Sequence, residues 1–132
     1  MMNEGREFRA GEVWSYRAPQ GFEDSRILVG AVLCYPDRRA IVCCAVFGAP
    51  RKNTDGSISA STIPFIPMWS EALSASVVDC EGLGELPAAF APALDAWSRD
   101  ERGLAAFSVP FEGRLDLMIA RQMQEIAANS GG

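Results

Sequence analysis

The sequence predicts an α+β fold. A strongly curved antiparallel sheet, or a small closed barrel, of five to six strands comes first, and two C-terminal helices follow. Three observations carry this expectation. Short apolar and β-branched runs, separated by turn residues, fill the chain as far as Cys80. After Gly82-Leu83-Gly84-Glu85-Leu86-Pro87 the composition turns alanine-rich and the apolar spacing becomes helical. The 132 residues, 48% of them hydrophobic, suffice for one core and hence one domain, with flexible ends at 1–10 and 129–132.

The elements follow in order. Glu12–Arg17 alternates, with Trp14 and Tyr16 on one face, and reads as a strand packed under the helices. Ala18-Pro19-Gln20-Gly21 is a turn. Arg26–Tyr35 and Ala40–Phe47 are apolar on both faces and are joined by Pro36-Asp37-Arg38-Arg39. They form a hairpin at the centre of the sheet, covered on both sides. Gly48–Ser57 reads as a loop, and Ile58–Met68 as an edge strand, because Pro64 and Pro67 cannot donate to a ladder. A helical turn with Ser70 as N-cap covers Trp69–Leu73, and Ser74–Cys80 is a fifth strand.

Phe90, Leu94 and Trp97 then share a helical face, with Gly103 as the stop. Leu104–Val109 is a sixth strand. A last helix over 114–128 has Leu115, Met118, Ile119, Met123 and Ile126 as its apolar face.

The chain contains no histidine, which removes Ser-His-Asp, Cys-His and zincin chemistry. Cys34, Cys43, Cys44 and Cys80 include no Cys-x-x-Cys pair, so no metal site is expected. They read as reduced, buried core residues, with one of the adjacent pair facing outward. No phosphate-cradling or dinucleotide glycine motif is present, and no cofactor is expected. The apolar runs fall short of the ~20 residues a membrane span needs. The charged start, Met1–Glu7, is not a secretory signal, so a cytoplasmic location is expected.

Net charge is −5 and unevenly spread: residues 1–70 carry 8 basic and 7 acidic groups, and residues 71–132 carry 4 and 10. The acidic half argues against nucleic acid and suits a basic protein partner. Asp95, Asp100 and Glu101 are its candidate contacts. Trp69, beside Met68 after a proline-rich stretch, is a candidate aromatic anchor. Arg51 and Lys52 mark Gly48–Ser57 as a candidate binding loop. Ser25-Arg26 could grip a phosphate or carboxylate, with Glu23 or Asp24 as an acid–base partner; an ion pair between Arg26 and Glu12 or Glu23 competes with that reading.

The opening Gly11-Glu12-Val13-Trp14, with Arg26 entering the second strand, resembles that of the MazF/PemK-like toxins. Residue 27 is Ile where that family has Pro. The resemblance implies an SH3-like barrel that cleaves RNA, with Arg26 and Glu23 or Asp24 near the scissile phosphate. A second pattern is similar to a group of small uncharacterised bacterial proteins. It comprises Glu23-Asp24-Ser25-Arg26, Ile63-Pro64-Phe65, Glu71–Val77 and Phe107-Ser108-Val109-Pro110. That group carries no assigned activity to transfer; by analogy, small acidic proteins of this kind are often immunity- or antitoxin-type partners. The leading expectation is therefore a non-enzymatic bacterial inhibitor of a basic toxin. The alternatives are the endoribonuclease and a homodimer or larger homo-oligomer formed along the Pro64/Pro67 edge.

Overall fold

Two strands without a polar face form the middle of the molecule. In the computed structural model, which describes residues 7–36, 39–100 and 105–130, these are β2 (Arg26–Cys34) and β3 (Ala40–Lys52). They pair antiparallel from Arg26↔Phe47 to Cys34↔Ala40. β1 (Glu12–Tyr16) lies beside β2, β4 (Ile58–Trp69) beside β3, and β5 (Val77–Leu83) beyond β1. The order is β4-β3-β2-β1-β5, every pairing is antiparallel, and the sheet is not closed. The α+β expectation holds, with an open antiparallel sheet rather than a closed barrel.

Both faces of the central pair are covered, as uninterrupted apolar strands require. One core cluster gathers Trp14, Tyr16, Ile27, Val29, Cys44 and Phe111; the other gathers Ile41, Cys43, Ala45 and Phe90. Cys43 and Cys44 alternate between faces, yet both are fully buried. The expected outward-facing member of that pair does not exist, because each face has its own cover. Cys34 and Cys80, read as core residues, are exposed instead.

β4 is the edge strand its prolines predict. The loop before it is shorter than expected. β3 runs on through Lys52 and β4 starts at Ile58, so only Asn53–Ser57 turns, closed by the Asn53 N–H to the Ser57 carbonyl at 2.8 Å. The result is a β3–β4 arm whose tip is exposed.

The chain then crosses from one edge of the sheet to the other through α1 (Ser70–Ser76). Trp69, not Ser70, is its N-cap, and the helix takes Ser74–Ser76, which were read as strand. Leu73 and Ser76 turn inward, and the Ser76 hydroxyl donates to the Ala72 carbonyl at 2.7 Å. Tertiary burial and this local bond override the β-branched signal, which begins only at Val77. β5 extends to Leu83, past the expected break at Gly82.

α2 (Phe90–Ser98) covers the Cys43 face with Phe90, Leu94 and Trp97, the predicted triplet. It ends at Ser98; Glu101, Gly103, Leu104 and the Asp37-Arg38 pair lie outside the described residues. The expected sixth strand is reduced to one parallel bridge, Met68↔Phe107. Ala106 still packs on the Cys43 face, and residues 107–113 form a strap across the other face instead. Phe107 exchanges backbone hydrogen bonds with Pro67 and Trp69 at 2.9 and 3.0 Å. Phe111 is fully buried and donates its N–H to the Ser76 hydroxyl at 2.8 Å. Phe8, expected in a frayed lead-in, is buried edge-on against Trp14.

α3 (Leu115–Ser130) departs most from expectation. Of its predicted apolar face only Met118 is buried, with Leu115 partly covered. Ile119, Met123 and Ile126 are 46%, 62% and 54% exposed, and so is Leu117 at 55%. The strap explains this. Val109 and Phe111 already fill the sheet face, leaving α3 only their margin.

Candidate interaction surfaces

Arg26 enters β2 beside Ser15 of β1, across from β5. Its Nε donates to the Glu81 carboxylate at 2.7 Å, and its Nη1 donates to the carbonyls of Glu23 and Ser25 at 2.7 and 2.8 Å. Three of the five guanidinium N–H groups are thus committed within the chain. The ion-pair partner is Glu81 rather than Glu12 or Glu23. Sequence reasoning missed it because 55 residues separate the two, and no local signal marks a cross-sheet pair.

The Glu23 carboxylate accepts the Gly21 N–H, which holds it below the ordinary carboxylate range while it stays exposed. Asp24 is exposed beside it. Ser25 is buried, and its hydroxyl donates to the Phe47 carbonyl at 2.8 Å. With that hydrogen spent, the Tyr16 phenol is the donor in the 2.7 Å contact between the two hydroxyls. Burial pushes the Tyr16 phenol upward. Geometrically, Ser25-Arg26 is a buckle between strands.

Trp69 is half-buried among the Cys43-face residues. Arg39 lies 4.0 Å over its ring and Tyr35 6.0 Å away, so the candidate anchor already carries a cation on one face. Asp95 pairs with Arg99 one helical turn on, at 3.1 Å and fully in solvent. Such exposed pairs contribute little. Asp100 follows the end of α2 and is partly covered. Trp69 and α2 therefore share one face of the sheet, whereas Arg51 and Lys52 lie at the tip of the β3–β4 arm. The expected binding residues do not converge on one site.

The feature that sequence reasoning placed in the core is the apolar flank of α3. Leu115, Ile119, Met123 and Ile126 follow i, i+4, i+8 and i+11, one stripe along the helix. Periodicity finds the stripe but says nothing of what covers it. Leu117, on another side of the helix, was not singled out. The helix is held through Met118 and through Gln122, whose carboxamide oxygen accepts the Ser108 N–H at 2.7 Å.

Among the described residues no cluster of three or more metal-ligating side chains occurs, and no helix is long and apolar enough to cross a membrane. Burial pushes the Cys43 thiol up to about 12 and raises Cys44 further still, with Cys43 beside it adding to the effect. Two thiols, Cys34 and Cys80, are therefore expected to react rapidly with a disulfide reagent in the native protein. Cys43 and Cys44 should react only on unfolding. Four fast thiols in the native state would contradict the two-sided cover.

No family model matches this chain, and no curated protein or solved structure shows significant similarity to it.

Proposed function

We propose that this chain is a non-enzymatic protein-binding module of the bacterial cytoplasm, an immunity- or antitoxin-type inhibitor that grips a basic partner through α3. The observation that carries this reading is the apolar stripe on α3, where Ile119 and Met123 stay about half exposed or more beside a well-filled core. Contiguous apolar surface of this kind marks interaction sites. The acidic surplus of residues 71–132, 10 acidic against 4 basic groups, supports a basic partner and fast association.

The test is recovery from the native host with tagged chain. One basic protein should be recovered in stoichiometric amount, lost when Ile119→Asp and Met123→Asp are combined and weakened by salt. No stoichiometric partner, or one that the double variant retains, would overturn it. A concentration-dependent dimer by light scattering, abolished by the same variant, would assign the stripe to a second copy instead.

A further inference from the structure

A groove of about 370 Å³ lies between the β3–β4 arm and the first turn of α3. That volume falls within the range of small-molecule sites, roughly 300–1,000 Å³. Its apolar side is formed by Ile63, Pro64 and Leu115, and its polar side by Arg51, Lys52 and Thr62.

The charge pattern around it is unusual for an acidic chain. With 17 carboxylate residues and 12 cationic ones, a cation should find a counter-charge easily. Most of the described cations do. Arg9, Arg26, Arg99, Arg114 and Arg121 meet carboxylates. Arg17 donates to the Ala75 carbonyl, and Arg39 lies over Trp69.

Arg51 and Lys52 are the two that meet no partner among the described residues, and both border this groove. The nearby acids are spent elsewhere. Asp55, at the arm's turn, takes the N–H and hydroxyl of Ser57, and Asp116, which itself lines the groove, takes Arg114. Alternation along β3 places Arg51 on the same face as Ala49, which packs in the core cluster that Leu115 borders. A cation thus stands at the end of an apolar wall, while Lys52, one residue on, starts from the opposite face of the strand.

We infer that this groove binds a small amphiphilic carboxylate, its acid group held by Arg51 and its apolar body laid along Ile63, Pro64 and Leu115. A guanidinium suits a carboxylate through charge-assisted, bidentate hydrogen bonds. The apolar wall is what separates this ligand from a bare anion.

The test is titration of the full chain, followed by amide NMR, with octanoate below its micellar concentration, with inorganic phosphate and with octylammonium. Octanoate should give saturable shifts confined to Arg51, Lys52, Ser61, Thr62, Ile63 and the start of α3. Phosphate should bind at least about ten-fold more weakly, and octylammonium should leave these residues unmoved. Arg51→Glu combined with Lys52→Glu should weaken octanoate at least about ten-fold, with amide positions elsewhere unchanged. No saturable octanoate response, an equal response to phosphate or octylammonium, or undiminished binding by the charge-reversed variant would overturn the inference.

Discussion

Gly30→Ala should loosen α2 from the sheet. A Cβ at Gly30 would stand 2.1 Å from the Phe90 ring, far inside any tolerable contact. Phe90 is buried, and its ring also packs at 5.7 Å from Phe65, so it cannot yield without leaving the cluster. The cost should reach or exceed the roughly 1–3 kcal/mol of an overpacked core. Phe90→Ala should cost about 3–5 kcal/mol, the range for removing a buried phenylalanine.

The informative variant is the double. Once the Phe90 ring is gone, the three atoms nearest an alanine Cβ at position 30 are gone with it, so the two costs should not add. Equilibrium denaturation followed by tryptophan fluorescence reads all three, since Trp97 shares the cluster. Strictly additive costs would mean that Phe90 does not sit on Gly30.

Phe111→Ala should be the most damaging truncation on the opposite face, again by about 3–5 kcal/mol. The ring is fully buried and lies 5.2 Å from Tyr16. The position also ties the strap to α1, through its N–H on the Ser76 hydroxyl. Gly113, two residues on, holds φ at +110° with Pro19 against it, which fixes the path into α3. Loss of the Phe111 ring should therefore expose α3 as well as lower the unfolding midpoint. Hydrogen exchange should accelerate across Ser108–Met118 before it does in β2 or β3. Unchanged protection there would contradict the strap's role as anchor.

These positions differ in how far the sequence announced them. The β2–β3 pair was legible because an apolar run on both strand faces has one economical home, the middle of a covered sheet. Phe90, Leu94 and Trp97 were legible from their spacing, and the β4 edge from Pro64 and Pro67. Phe111 was not, since it stands in a segment with neither a strand nor a helix period. The boundary between α1 and β5 was lost for a related reason. Ser74–Ser76 are weak formers of either state, and burial of Leu73 and Ser76 decided between them. As for the surfaces, Arg51 and Lys52 stood out as an isolated basic pair, but the groove they border depends on where α3 begins. The α3 stripe was visible as periodicity, while its exposure depended on Val109 and Phe111 occupying the sheet face first.

The central claim is that the α3 stripe serves a partner and not the core. Combining Ile119→Asp with Met123→Asp and measuring unfolding free energy beside partner recovery tests it most directly. Both side chains are about half exposed or more, so folding stability should change by no more than about 1 kcal/mol for the pair while the partner is lost. Met118→Ala, one turn inside, should cost about 2–5 kcal/mol by comparison. Unfolding of the double variant, or full retention of the partner by it, would contradict the account.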